Sequence, residues 1–157
     1  MPDRQEWVLL AYRMPREPSS PRITVWRRLR KLGAVQLVDG LVALPADGRT
    51  KEQLEWVADQ ALEAGGEATV WLARLSSAKQ ERELAARMAA EIADSYEAVI
   101  EEVADLRRDP EGVQQRTVSR LRRELRRIGQ RDYFPPPSRD RAVAAVQGLA
   151  ELVGAET

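Results

Sequence analysis

The dipeptide Asp39-Gly40 constrains this chain more than any other feature. It stands between two apolar runs, Val35 to Val38 and Leu41 to Leu44. Strands separated by two such residues close into an antiparallel hairpin, because Asp-Gly tolerates the positive φ that a tight hairpin turn demands. The segments flanking the hairpin have helical period. Before it, Ser20-Pro21 reads as an N-cap followed by proline at the first helical position. Val25, Trp26, Leu29 and Leu32 then form an apolar stripe, and Gly33 supplies the C-cap. After it, Thr50 with Gln53 reads as a capping box. Leu54, Val57, Ala58, Ala61 and Leu62 follow at helical spacing up to Gly65-Gly66. Outside the helices, Trp7 to Tyr12 is the continuous apolar run of a buried central strand, and Ala68 to Leu75 reads as a fourth strand. The order βαββαβ predicts a ferredoxin-like sandwich, with four antiparallel strands and two helices on one face.

Beyond residue 76 only the helical period remains. Ser77 caps a helix from Ala78 to about Arg108, ended near Pro110, with the stripe Leu84, Met88, Ile92, Tyr96, Val99, Val103 and Leu106. A segment from Val113 to Gln130 carries Val118, Leu121, Leu125 and Ile128. The connector Asp132 to Pro137 is stiffened by three prolines. A last helix is expected to bury Val143, Val146, Leu149 and Val153. The expected class is therefore α+β: a ferredoxin-like domain over residues 1–76 and a three-helix extension over 77–157. The extension either packs on the sandwich or builds a dimer interface. Trp7, Trp26 and Trp71 are expected in the core and Trp56 at part exposure. Tyr133-Phe134 reads as a packing anchor beside the prolines.

Composition narrows the chemistry. The 157 residues include no cysteine and no histidine. Disulfides, thiolate metal sites and Ser-His-Asp or Cys-His catalysis are excluded, leaving only carboxylate–Mg²⁺ chemistry or a Lys or Tyr base. No catalytic residue, metal or cofactor is expected, and the chain reads as a protein that binds. There is no apolar run of about 18 residues to span a membrane. The polar start, Met1 to Glu6, lacks a signal-peptide pattern, so the cytoplasm is the expected location.

The 25 basic and 25 acidic residues cancel in number but not in position. Arg27, Arg30 and Lys31 share one face of the first helix, with Arg22 and Arg28 nearby and Arg13 and Arg16 in the preceding loop. The start of that helix, with Ser19, Ser20 and Arg22, is a candidate oxyanion site, because free backbone N–H groups and the helix dipole favour an anion. Arg116, Arg120, Arg123 and Arg127 project within about 60° of one another on the later helix. They oppose Leu121, Leu125 and Ile128, with Arg122, Arg126 and Arg131 at the flank and Glu124 the lone acid. Like charges four apart each cost a helix a few tenths of a kcal/mol. A polyanion such as DNA would relieve this, and so would an acidic neighbour. Asp94, Glu97, Glu101 and Asp105 lie off the stripe of the preceding helix. If the helices pack by their stripes these acids point outward, which leaves a second subunit of a homodimer to supply neutralisation. The competing reading of both basic segments is an ordinary solvated face.

Several stretches resemble the N-terminal region of ChrB, the chromate-resistance regulator family. They are Trp7 to Leu10, Pro21 to Val35, Gly40 to Pro45, Gly65 to Val70, Ser95-Tyr96, Leu121 to Ile128 and Asp132 to Phe134, in one order from about residue 7 to 150. The resemblance implies a DNA-binding, chromate-responsive repressor of an efflux pump, with the basic residues of Pro21 to Leu32 and Leu121 to Ile128 as DNA contacts and chromate or another oxyanion as effector. Longer family members carry a further C-terminal domain linked to chromate response, so the resemblance here covers DNA contact and not that domain. With no cysteine, reduction of Cr(VI) by the protein is not expected. The pattern is also similar to the middle domain of phenylacetate-pathway repressors and to CRISPR spacer-acquisition nucleases. Such nucleases hold Mg²⁺ with an aspartate at the end of strand one, where this chain has Tyr12-Arg13-Met14-Pro15. An arginine there repels a metal. A DNA-binding regulator is thus the leading expectation, a protein–protein interaction module the second, and a Mg²⁺-dependent nuclease a distant third.

Overall fold

The computed structural model describes residues 4–155. In chain order the elements are β1 (Trp7–Arg13), α1 (Ser19–Leu32), β2 (Val35–Val38), β3 (Leu41–Pro45), α2 (Gly48–Glu63), β4 (Glu67–Ala73), α3 (Ala78–Arg107), α4 (Gln115–Gln130) and α5 (Ser138–Ala155). A single 3₁₀ turn, Pro110–Gly112, precedes α4. The chain forms two compact units, Met1–Leu84 and Ala85–Thr157, which divide inside α3. The opening of α3 is tied to the lead-in of β1: the Gln5 N–H donates to Glu81 Oε1 at 2.6 Å, and Arg4 donates to the Leu75 carbonyl at 2.5 Å.

The first unit has the ferredoxin-like order β2-β3-β1-β4, antiparallel throughout. Register places Val8 beside Leu44 and Leu10 beside Val42, so these four side chains share one face, and all are buried. α2 lies against β1, β4 and α1, burying Leu54, Val57, Ala58 and Ala61, while α1 buries Val25 and Leu29. The hairpin turn closes as the sequence requires. Gly40 sits at φ 77°, and a Cβ there would lie 2.6 Å from the Tyr12 carbonyl oxygen. Only glycine fits that conformation and that approach.

Several local expectations are corrected. α1 starts at Ser19 with Pro18 at the cap, so Ser20 lies inside the first turn and Pro21 is the third helical residue. Proline is tolerated there because the first-turn N–H groups have no intrahelical acceptor. α2 starts at Gly48. Its cap is Asp47, whose carboxylate accepts the Thr50 N–H at 2.8 Å, while the Asp47 N–H donates to Thr50 Oγ at 3.0 Å. That backbone hydrogen bond from Thr50 holds the Asp47 carboxyl below the usual range. Thr50 is thus the inner member of the box, and Gln53 has no part in it. Trp26 is 50% exposed. It stands about 60° round the helix from Leu29, outside the buried line that Val25 and Leu29 define, with Arg30 over its ring at 5.1 Å. Trp71, 58% exposed, pairs with Leu9 on the face opposite Val8 and Leu10, and β4 is an edge strand. Leu62 is exposed as well.

The second unit is built on stripes. The α3 helix begins in the first unit, where Ser77 Oγ accepts the Gln80 N–H at 3.1 Å to cap it. Ile92, Tyr96, Val99 and Val103 of α3 form one buried cluster with Val118, Leu121 and Ile128 of α4 and Ala142, Val146, Leu149 and Val153 of α5. Val143 is exposed and Ala142 takes its place, because positions 142, 146, 149 and 153 fall on one helical line and 143 lies about 100° off it.

A polar bond also crosses this core. The Tyr96 hydroxyl donates to Asp132 Oδ2 at 2.8 Å, joining α3 to the stiff connector, and the other carboxylate oxygen of Asp132 is buried without a partner. Burial, the Asp132 hydrogen bond and its charge push the Tyr96 hydroxyl up to about 12, against the pull of Arg139 and Arg131. Tyr96→Phe strands the carboxylate further and is expected to cost about 1–3 kcal/mol in thermal or denaturant unfolding. Because the folded value exceeds the unfolded 10.0, the hydroxyl's contribution is fully present below pH 10. It is lost as the pH rises towards about 12. The stability gap between wild type and Tyr96→Phe should therefore shrink across that window and hold constant below it.

Candidate nucleic-acid interface

The rotation of α4 is set by its buried side. Val118, Leu121 and Ile128 are fully buried, so the opposite side must face water. Arg116, Arg120, Arg122, Arg123, Arg126 and Arg127 are all exposed. The helix has no acid in its first turn and Glu124 as its one carboxylate. The arginines of the predicted line therefore share a solvent face, as the spacing required.

Their partners divide them. Arg120 forms an ion pair and hydrogen bond with Glu102 of α3. Arg127 Nη1 lies 3.4 Å from Glu124 of its own helix. Neutralisation within the chain therefore does occur at Arg120, through an α3 acid other than Asp94, Glu97, Glu101 and Asp105. Glu102 was not among the acids singled out. It flanks the α3 stripe, about 60° from Val99 at 100° per residue, close enough to the helix–helix seam to cross it. The acids named behave otherwise: Glu97 bonds Arg141 of α5 at 2.8 Å, and Asp105 lies 3.3 Å from Arg108. Among the described residues, Arg116, Arg122, Arg123 and Arg126 have no ion pair with an acid. They occupy an arc of about 120°, so the uncompensated line is turned towards the flank that holds Arg122 and Arg126. Arg131 is engaged separately, donating to Ser95 Oγ at 3.1 Å.

α1 carries the second basic group. Arg22, Arg27 and Lys31 are exposed and have no ion pair among the described residues. Arg28 stacks over Trp56 of α2 at 5.8 Å and Arg30 over Trp26 at 5.1 Å. Arg30 and Lys31 lie in the last turn, where cations also stabilise the helix C-terminus. Ser20 lines an open cleft with Pro21, Thr24, Val25, Gln60, Glu63 and Ala64, and neither Ser19 nor Arg22 lines it. Pro21 brings no N–H to that terminus and Glu63 brings a carboxylate. At the end of β1, Arg13 lies 3.9 Å from Glu67, both exposed. Among the described residues no group of carboxylates gathers to hold a metal ion, and no helix is long and apolar enough to cross a membrane.

Fold and site together define an α+β protein in which a ferredoxin-like unit is followed by a three-helix unit with a cationic helix face. The chain belongs to the ChrB family, whose N-terminal model (Protein ChrB, N-terminal) matches residues 22–116. The matched region contains the α1 cations and reaches Arg116 in α4. Among curated proteins, the chain is 27% identical over 140 residues to Protein ChrB of Cupriavidus metallidurans, covering 87% of this chain and 43% of that one. The chain thus spans less than half the length of that relative. No solved structure matches it.

The Arg120–Glu102 pair is half exposed on both sides, so its coupling should be small. A double-mutant cycle with Arg120→Ala and Glu102→Ala is expected to give about 0.2–1 kcal/mol by denaturant unfolding. A larger coupling would mean the pair is a structural tie.

Proposed function

We propose that the chain binds DNA through the solvent face of α4, as the nucleic-acid-contacting part of a ChrB-type transcriptional regulator of chromate resistance. The observation that supports this is the set of guanidinium groups on α4 with no ion pair among the described residues. Arginine's planar fork suits phosphate oxygens, and its charge persists at any physiological pH. From Arg116 to Arg126 the helix runs about 15 Å, the reach of several phosphates along one strand. Contacts of this kind position a protein and supply salt-dependent affinity; sequence is read by other means. The α1 cations Arg22, Arg27 and Lys31 form a second, weaker candidate contact, since Arg28 and Arg30 are already stacked on tryptophans. The mode is binding without catalysis, in the compartment that holds the DNA. Chromate or another oxyanion as effector gains little from the α1 cleft, where a carboxylate faces the would-be anion.

The exposed tryptophans Trp26 and Trp56, each under an arginine, favour a second reading as a protein–protein interaction module. A mobility-shift titration with DNA from upstream of the protein's own gene, at two salt concentrations, separates the two. Arg116→Ala/Arg123→Ala/Arg126→Ala is expected to weaken binding and to reduce the slope of log K against log salt by about 3, at ~0.9 per lost phosphate contact. Circular dichroism should be unchanged, because all three side chains are exposed. Unaltered affinity and slope in the variant would remove α4 from the interface, and absence of any shift by wild type would favour the protein-binding module.

A further inference from the structure

Two tryptophans stand exposed on the helices of the first unit, and their neighbours differ. Trp56 of α2 is 58% exposed, but Glu52 and Asp59 lie within about 60° of it round the helix. Trp26 of α1 is 50% exposed. The residues around it on α1 are Arg22, Ile23 and Arg30, at i−4, i−3 and i+4, with the Arg30 guanidinium over the ring at 5.1 Å. From Arg22 through Trp26 to Arg27 the exposed residues span an arc of about 140°. Thr24 and Arg28 lie about 160° from Trp26 and are turned towards α2, where Arg28 meets Trp56 and Thr24 lines the cleft with Glu63. The Trp26 flank therefore faces away from that seam and its acid. α1 itself has no acid, and from Pro18 to Ala46 the chain has one, Asp39, in the hairpin turn and bonded by Gln36 at 3.1 Å. Glu17 precedes the helix. Among the described residues Arg22, Arg27 and Arg30 have no ion pair.

We propose that this flank of α1 is a stacking platform for single-stranded nucleic acid, with a base laid against the exposed part of the Trp26 indole and phosphates held by Arg22, Arg27 and Arg30. An indole exposed among unpaired guanidinium groups suits a ligand that alternates flat rings with negative charge. Bases supply the rings whatever their sequence, since every base has a π-face, and phosphate oxygens match the guanidinium fork. A duplex keeps those faces inside its stack, so the platform selects unpaired strand. An acidic peptide matches the charge but brings no obligatory flat ring. Arg22 and Arg30 lie about 12 Å apart along the axis, so a short run of nucleotides reaches both with Trp26 midway. The proposal rests on the nucleic-acid reading of the chain but on a different helix, and it does not require α4 to touch DNA.

A labelled oligothymidylate of about 12 nucleotides, followed by anisotropy with the full chain at low salt, should bind wild type and quench its tryptophan emission. Trp26→Ala should weaken binding roughly 5- to 150-fold, with circular dichroism unchanged because the side chain is half exposed. Trp26→Phe keeps a ring and should recover most of the affinity. Trp56→Ala should bind like wild type. Arg27→Ala should lower the salt slope by about 0.7, the value for one phosphate of a single strand. Failure of wild type to bind the oligonucleotide overturns the proposal. So does a Trp26→Ala variant that binds like wild type, a Trp26→Phe variant no better than Trp26→Ala, or an equal loss on Trp56→Ala. Polyglutamate that competes as well as unlabelled oligothymidylate also overturns it and assigns the flank to an acidic protein. The α4 reading stands or falls separately. Oligothymidylate binding without a duplex shift retires that reading and keeps this one, and a duplex shift without oligothymidylate binding does the reverse.

Discussion

Burial of Val118, Leu121 and Ile128 fixes which way α4 is turned, and the functional reading depends on that rotation. Each such side chain gains about 1.5–3 kcal/mol on leaving water. Turning the helix to bury guanidinium groups instead would cost several kcal/mol for each charge taken from water without a partner. The arginines face solvent because no alternative setting of the helix is stable. That alone does not distinguish a binding face from a solvated one, since any amphipathic helix has a polar side. Compensation separates the two. Arg120 and Arg127 have acids beside them, as on an ordinary surface, whereas Arg122 and Arg126, four apart, and Arg123 and Arg126, three apart, repel without relief.

The sequence showed the architecture well where one local rule had no competitor. Asp39-Gly40 admits one turn, and Gly40 is where a Cβ would strike the Tyr12 carbonyl. The stripes of α3 and α4 are unambiguous because every position on them is large and apolar. It showed less where two residues could perform the same task. Asp47 and Thr50 are both capping residues. Thr50 is drawn inward because its hydroxyl donates to the Pro45 carbonyl at 2.6 Å, a contact made only after the β3–α2 turn has formed. Ala142 and Val143 compete for one buried site, and helical phase from Val146 and Leu149 decides against the larger side chain. Trp26 and Trp71 fit an apolar pattern, but a pattern does not reveal which strand is at the edge or where a stripe stops.

The candidate site divided in the same way. That the α4 arginines share a face follows from 100° per residue and needed no coordinates. Which of them remain uncompensated depends on Glu102, a side chain from another helix, and on a seam whose width the sequence does not encode. The signal was present in a weak form: an acid about 60° from the stripe of a neighbouring helix can cross to a partner, whereas one on the far side cannot. Applying that criterion to α3 separates Glu102 from Glu101 and accounts for Arg120; Arg127 is compensated by Glu124 of its own helix, and the uncompensated line moves towards Arg122 and Arg126.

One surface of this protein departs from the rules that the rest of the chain obeys: α4 concentrates like charge where alternation would stabilise it. Elsewhere caps, turns and stripes agree with the fold, and such agreement is what makes a sequence specify a structure. The departure penalises the isolated helix through self-repulsion. The proposed phosphate contacts would remove that penalty, which is the physical reason to prefer an occupied face over a merely solvated one.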